Sequence, residues 1–358
     1  MAQGHVEVST SPPYAVVIGA GLDLAGTLSG ALEPAVGAVL TDSNVGPLHA
    51  ASLKRTLVNA GWRVADVVEV PAGEGSKSLE MFAEVSRRLA RAGMTREGAL
   101  FALGGGVVGD LGGFVAATYM RGIDLVQLPT SLLAMVDSSV GGKVGIDLPE
   151  GKNLVGSFFQ PRIVLADLGW LETLPERELS CGLAEVIKMG LLSGGAFFAD
   201  LDRIEASRAG DLAALRALIL HSVRFKAQVV AEDELERGRR AILNYGHTIA
   251  HGLEAASDYT LPHGEAVSTG MIAAAHLSRE RLGTDLLALQ QGLLHAAGLP
   301  LKASGIEVEK VLSAMGRDKK RRLGDDYRFV LLEDVGVPLW GVPVGEDEAR
   351  RAIRAVVA

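Results

Sequence analysis

Three of the chain's eight histidines, His247, His251 and His263, crowd into residues 247–263. The run Asn244-Tyr245-Gly246-His247-Thr248-Ile249-Ala250-His251 sets two imidazoles at i, i+4, on one face of a helix. That spacing suggests a zinc pair, but it lacks the Glu of H-E-x-x-H, which argues against a metalloprotease. Pro262-His263-Gly264-Glu265 offers a third imidazole at a helix start. With Cys181 as the single cysteine, no multi-cysteine cluster is available, so a metal would need carboxylate ligands as well. Glu185 lies in an otherwise apolar stretch, Gly182-Leu183-Ala184-Glu185-Val186-Ile187. An acid there is either paired with a cation such as Lys188 or bound to a metal.

Two glycine motifs compete as a dinucleotide site. Val16-Val17-Ile18-Gly19-Ala20-Gly21 sits where a Rossmann fingerprint normally begins, but position 24, the place of the third glycine, is Leu. Gly104-Gly105-Gly106-Val107-Val108-Gly109-Asp110 fits G-x-G-x-x-G and follows the apolar run Ala99–Leu103. Its backbone amides, with the positive end of a following helix, could hold a pyrophosphate. Close helix–strand packing alone would select the same glycines. Thr41-Asp42-Ser43-Asn44 places an acid at the end of the second strand, where a ribose diol is gripped, and a carboxylate there favours NAD over NADP. Gly73-Glu74-Gly75-Ser76-Lys77 is a further polar loop; the plainer reading of both loops is a solvated turn.

Basic residues keep polar company in Asp137-Ser138-Ser139-Val140-Gly141-Gly142-Lys143 and in Gly151-Lys152-Asn153. Arg121, Lys226, Arg240 and Asp318-Lys319-Lys320 add to them. In an acidic protein, lysines in Gly/Ser/Asn loops point to a pocket for phosphate or carboxylate, although each one taken alone reads as ordinary surface charge.

The elements that must position these groups follow from periodicity. Tyr14–Ile18, Gly37–Thr41, Val64–Val70, Ala99–Leu103, Ile123–Leu128 and Ile163–Ala166 are short apolar runs, as expected of strands buried on both faces. Met81–Ala92 is an amphipathic helix ending at Gly93. This alternation predicts a parallel sheet with helices on both faces. Pro175-Glu176-Arg177-Glu178 reads as a helix start. Beyond it helical periodicity prevails, clearest in Asp211–Glu232, before a β pair at Arg328–Leu332 and Val337–Val342 and a last helix at Glu346–Val357. The expectation is an α/β, Rossmann-like domain over 1–176 and a mainly α-helical domain over 177–358. The 358 residues, 48% apolar and 22% charged, exclude a disordered chain. A net charge of −8 argues against general nucleic-acid or membrane-surface binding. The most apolar window, residues 98–120, carries seven glycines and Asp110, which argues against a membrane span. The start of the chain shows no signal peptide, and the cysteine usage fits a cytoplasmic protein.

Taken together, these segments resemble the 3-dehydroquinate synthases, a family of sugar phosphate cyclases, from about Tyr14 to Val344. The sharpest blocks are Gly104–Asp110, Gln127–Asn153, Gly182–Gly190, Leu243–His251 and His263–Met271. The resemblance implies a lyase that converts 3-deoxy-D-arabino-heptulosonate 7-phosphate to 3-dehydroquinate and phosphate, with catalytic NAD and Zn2+ or Co2+. It implies NAD on Gly105, Gly106, Val107 and Asp110, with Asp42, Asn44, Glu74, Lys77, Thr130, Ser131, Asp137, Lys152 and Thr173, rather than on the Gly19 loop. It implies metal ligands Glu185, His247 and His263, and makes His251 a proton-handling residue instead of a ligand. Lys143, Asn153, Asn244 and Lys319 would hold the phosphate, and Lys226 and Arg240 the carboxylate. Lys188 and Glu236 would line the site, and Arg121 would reach a phosphate across a homodimer interface. Asp233-Glu234-Leu235-Glu236 departs from the family's Asp-Glu-Arg-Glu at Leu235, which touches a local contact only.

Hydride removal and return by NAD would bracket phosphate elimination and ring closure, so that the net reaction is not redox. Related cyclases share the NAD loop and the metal ligands, but the substrates of the 2-deoxy-scyllo-inosose and valiolone types have no carboxylate. Lys226, Arg240, Asn244 and His251 together favour dehydroquinate chemistry. Aminodehydroquinate synthases would share that pocket, a polyol dehydrogenase would accumulate NADH, and a non-enzymatic NAD sensor would need neither metal nor anion pocket.

Overall fold

The computed structural model describes residues 3–316 and 326–358; Lys319 and its neighbour Lys320 lie outside the described residues. The chain divides into two units, Met1–Leu174 with Lys226–Leu235, and Pro175–Phe225 with Glu236–Ala358. The sequence changes texture once, near 176, yet residues 226–235 return to the first unit.

The first unit is built on seven strands: β1 (Gly4–Val8), β2 (Tyr14–Gly19), β3 (Val36–Asp42), β4 (Arg63–Val70), β5 (Ala99–Gly104), β6 (Asp124–Pro129) and β9 (Ile163–Asp167). Their order is β1-β2-β9-β6-β5-β3-β4, all parallel except β1, which runs antiparallel to β2 at one edge. Both faces of the sheet are buried, and alternation along each strand shows why. Ala38, Leu40, Leu100 and Ala102 face a core with α3 (Leu79–Arg91) and α4 (Gly106–Thr118), while Val39, Phe101 and Leu103 face one with α1 (Leu24–Ser29) and α2 (Ala51–Asn59).

Each of the six runs expected to be strands is one. Three strands are additional: β1, and the two-stranded ribbon β7 (Lys143–Leu148) and β8 (Gly151–Phe158). β1 is an edge strand of alternating character, and β8 is a partly exposed strand of sequence GKNLVGSF, so neither forms a continuous apolar run. The parallel sheet expected from the sequence is present, and the short β1 adds one antiparallel strand at its outside edge.

From β3 the chain steps outward to β4 and then back across to β5 on the other side of β3. The carboxyl ends of β3 and β5, at Asp42 and Gly104, therefore flank the point where strand order reverses, the usual place for a ligand in an open α/β sheet.

The second unit is helical: α5 (Glu176–Ser193), the short α6 (Gly195–Ala199) and α7 (Ile204–Arg208), α8 (Leu212–Glu232), α9 (His247–Ala256), α10 (His263–Leu282), α11 (Leu287–Ala296), α12 (Val308–Gly316) and α13 (Glu346–Val356). From Lys226 onward α8 belongs to the first unit. A hairpin, β10 (Tyr327–Asp334) with β11 (Val337–Val344), completes the unit. Among the described residues, no helix is long and apolar enough to cross a membrane.

Gly264 sets the critical approach of α10 to α5. A Cβ there would lie 2.3 Å from the Cα of Cys181, so only glycine lets the start of α10 meet α5 one turn before Glu185.

Candidate active site

Glu185 lies on α5 with no exposed surface. His247 opens α9 and His263 opens α10. One ligand atom from each of the three falls within 4.8 Å of the others. His247 Nε2 is 3.5 Å and His263 Nε2 3.4 Å from Glu185 Oε1. Atoms bound tetrahedrally to zinc at about 2.0–2.2 Å stand roughly 3.3–3.6 Å apart, so the spacing suits one ion. Glu185 Oε2 faces the Lys188 ammonium and Oε1 the two imidazoles, so this buried acid is held by charged and ring-nitrogen partners rather than by hydrogen bonds of good geometry.

The imidazoles are aimed from behind. Nδ1 of His247 lies 3.1 Å from the carbonyl of Tyr245, which can only accept, so the neutral ring is assigned its proton there and Nε2 keeps a lone pair for a cation shared with Glu185. Nδ1 of His263 lies 3.4 Å from Oε1 of Glu254, a carboxylate itself only 3% exposed. Carboxylates placed this way orient metal-binding histidines and raise their basicity.

Without an ion, the charges are shared among these groups. Burial holds His247 down to about 3, helped by the ammonium of Lys188, so it is neutral. Burial would also lower His263, but its bonds to Glu185 and Glu254 outweigh this and raise it to about 10. Burial alone would raise Glu185; Lys188 and the two histidines instead hold it well below the usual carboxylate range. Lys188, 1% exposed, pairs directly with Glu185 Oε2. His251 lies one turn along α9 with its ring 5.4 Å from that of His247, exposed and outside the three-atom cluster. The i, i+4 pair that spacing suggests is therefore not the cluster that the fold assembles.

In the first unit the two glycine motifs have different fates. The amides of Gly21 and Leu22 donate to the two carboxylate oxygens of Asp167 at 2.9 Å each, and Asp23 caps α1. That loop is already filled by carboxylates and would repel a phosphate. α4, by contrast, starts at Gly106 after Gly105, and no side chain caps its first amides, which leaves an anion-binding helix terminus. Gly109 lets α4 lie close on β6: a Cβ would stand 2.9 Å from Gln127 Oε1, and Gln127 Nε2 donates to the Gly109 carbonyl at 3.1 Å. Ser131 faces Gly105, and the amide of Thr130 donates to the Gly104 carbonyl at 2.9 Å.

Lys77, 4% exposed, gathers the residues around this terminus. Its ammonium lies 2.9 Å from Asp110, 3.5 Å from Glu74 and 3.9 Å from Asp147, and donates to Asn153 Oδ1 at 2.6 Å. Burial would lower its pKa, but the three carboxylates raise it further than burial lowers it. Lys152 lies 3.6 Å from Glu74. Asp42 Oδ1 accepts from the amides of Asn44 and Val45 at 2.8 and 3.0 Å. Thr173 Oγ1 donates to the Trp170 carbonyl at 3.0 Å and lies 2.9 Å from His49 Nε2.

The remaining candidates are dispersed. Lys226 donates to the Asp137 carbonyl at 2.6 Å and pairs with its carboxylate. Asn244 donates to Glu236 at 2.9 Å, and Arg240 is 1% exposed on the turn between them. Lys143 is exposed at the start of β7. Arg121 is exposed on the turn after α4, away from the Lys77 network. Sequence reasoning missed Glu254 and Asp147; Glu254 carried a usable signal, being an acid in the apolar stretch Ile249–Ala256.

A family model described as 3-dehydroquinate synthase N-terminal matches residues 67–181, and one described as 3-dehydroquinate synthase C-terminal matches 182–321. A 3-dehydroquinate synthase of Xylella fastidiosa is 47% identical, covering 98% of this chain and 97% of its own. One from Acidithiobacillus ferrooxidans is 49% identical over 84% of this chain and 83% of its own. Among solved structures, 2-deoxy-scyllo-inosose synthase complexed with carbaglucose-6-phosphate, NAD+ and Co2+ superposes with a TM-score of 0.87 at 27% identity, covering 99% and 100% of the two chains. 2-epi-5-epi-valiolone synthase of Streptomyces hygroscopicus, with NAD+ and Zn2+ bound, gives 0.86 at 26%, covering 96% of each.

Glu254→Ala should weaken Zn2+ or Co2+ binding about 10–100-fold, read as the dissociation constant in competition with a chelator. Unchanged affinity would show that Glu254 does not orient His263.

Proposed function

The chain belongs to the 3-dehydroquinate synthase family, and from that premise we propose that it converts 3-deoxy-D-arabino-heptulosonate 7-phosphate to 3-dehydroquinate and phosphate in the shikimate pathway. The observation that carries this reading is 47% identity across almost the full length of both chains. The cluster of Glu185, His247 and His263 and the uncapped start of α4 are a donor set and an anion terminus that suit a divalent cation and NAD. When bound, NAD supplies a hydride acceptor restored within each turnover and the cation supplies a Lewis acid, so the net reaction is phosphate-eliminating cyclisation.

The chain's own residues would divide the remaining work. Lys226 and Arg240 would bind the substrate carboxylate, while Lys143, Asn153 and Asn244, with Lys319, would bind its phosphate through charge-assisted hydrogen bonds. Lys188 and Glu236 would line the site. Exposed His251 would hold and move a proton near neutral pH. Around the cofactor, Gly105, Gly106 and Val107 would offer backbone amides. Asp42 and Asn44, with Glu74, Lys77, Asp110, Thr130, Ser131, Asp137, Lys152 and Thr173, would complete its cradle. The substrate carboxylate separates this reading from the inosose and valiolone cyclases.

We further propose a homodimer acting in the cytoplasm. Met120, Arg121 and Gly122 have φ of 52°, 65° and 120°, three successive residues in the left-handed region, and Met120 and Arg121 are exposed there. Such strain is characteristic of functional turns, and a guanidinium held out in this way suits a phosphate in a second copy's site. The lone cysteine, Cys181, fits a reducing compartment.

Protein stripped with EDTA should release phosphate and form 3-dehydroquinate from the heptulosonate phosphate only when both NAD and Zn2+ or Co2+ are restored, with no NADH accumulating. NADH build-up with a polyol, and no phosphate release, would replace this reading with a dehydrogenase. For the dimer, Arg121→Ala and His263→Ala variants, each inactive or nearly so, should recover activity when unfolded and refolded together, because a mixed pair retains one intact site. Recovery no greater than the sum of the two would remove Arg121 from the partner's site.

A further inference from the structure

The ribbon β7–β8 is broken at Asp147: the pairing register shifts between Ile146 and Leu148. The extra residues are on β8, where 152–154 stand opposite Asp147 alone, so Asp147 is outside the regular ladder and its groups bond Lys77 and Asn153. Its amide donates to the Lys77 carbonyl at 2.7 Å. Its Oδ1 accepts the amide of Asn153 at 2.6 Å, at a residue whose φ of +53° lies in the left-handed region. The same oxygen lies 3.9 Å from the Lys77 ammonium, which in turn donates to Asn153 Oδ1. Lys77, Asp147 and Asn153 thus form a closed triangle. Each edge is a hydrogen bond or ion pair, and one vertex is a non-glycine residue in a conformation that needs outside support.

We propose that Asp147 is a positioning residue: it holds Asn153 in its left-handed conformation and fixes its amide side chain against Lys77, so that Asn153 meets the substrate phosphate in one orientation. Asp147 itself touches neither substrate nor cofactor. The inference rests on the functional reading above and adds to it a residue outside the sets assigned to NAD, metal and substrate. The carboxylate supplies an acceptor for one particular N–H, and an amide oxygen at the same place supplies the same acceptor without the charge.

The test is a double-mutant cycle on the holoenzyme with NAD and Zn2+, reading KM for the heptulosonate phosphate, kcat and thermal midpoint for Asp147→Ala, Asp147→Asn, Asn153→Ala and Asp147→Ala/Asn153→Ala. Asp147→Ala should raise KM about tenfold, the loss of one charge-assisted hydrogen bond. Asp147→Asn should recover most of that loss. In the Asn153→Ala background, Asp147→Ala should change KM by less than about twofold, because its effect passes through Asn153. Equal, additive losses in both backgrounds, or Asp147→Asn as poor as Asp147→Ala, would overturn the proposal. If Asp147→Ala does not fold, a KM for Asp147→Asn within about threefold of wild type supports the proposal and a larger rise overturns it. A wild-type protein that releases no phosphate overturns the functional reading and this inference with it, whereas an active wild type with additive losses overturns this inference alone.

Discussion

A carboxylate removed wholly from water costs several kcal/mol unless cations or hydrogen bonds replace its hydration. Glu185 is in that position, buried to 0% exposure in the middle of α5. Its compensation comes from Lys188 one turn along the same helix and from His247 and His263, each the first residue of another helix. The starts of α9 and α10 are therefore held where the chemistry needs them, and Gly264 is small because α10 must press on α5 at Cys181 for His263 to arrive. Tyr245 and Glu254 then fix the faces that the two rings present. Packing, electrostatics and ligand geometry in the helical unit answer to one buried negative charge.

The sheet unit solves the opposite problem with a buried positive charge. Burial disfavours the Lys77 ammonium, and Asp110, Glu74 and Asp147 around it more than offset that. That ring of carboxylates joins the loop after β4, the first turns of α4 and Asp147 of β7, opposite the irregular stretch of β8. The uncapped amides of α4 and the ordered turn at Asn153 consequently belong to one hydrogen-bonded assembly. At the other glycine motif, Asp167 spends both oxygens on Gly21 and Leu22, so two loops that look alike in sequence end with opposite electrostatic character.

The central strands were legible because burial on both faces writes a continuous apolar run. β1 and the β7–β8 ribbon were not, since an edge and a half-exposed hairpin carry polar and glycine residues. Two histidines at i, i+4 look like a ligand pair, but sequence spacing says nothing of which neighbouring helix contributes the carboxylate. Here Glu185 and His263 arrive through tertiary packing, and His251 stays outside. For Glu185 the sequence offered pairing with Lys188 or metal ligation, and the structure holds the Lys188 pair beside a ligand-like cluster. Glu254 obeys the rule that singled out Glu185, an acid among apolar neighbours, and was readable in principle. Asp147 was not: an acid beside Leu148, Pro149 and Glu150 looks like any solvated turn until its amide is seen on Lys77.

The central claim is that buried Glu185, with His247 and His263, forms a site for one divalent cation, and Co2+ titration of the metal-stripped protein tests it most directly. The wild-type protein should take up one Co2+ per chain and show the intense visible absorption of a four- or five-coordinate cobalt centre. Glu185→Gln should lose that spectrum while binding NAD as the wild type does. A Glu185→Gln protein with the wild-type cobalt spectrum and stoichiometry, or a wild type showing only the weak spectrum of hydrated Co2+, would contradict the account.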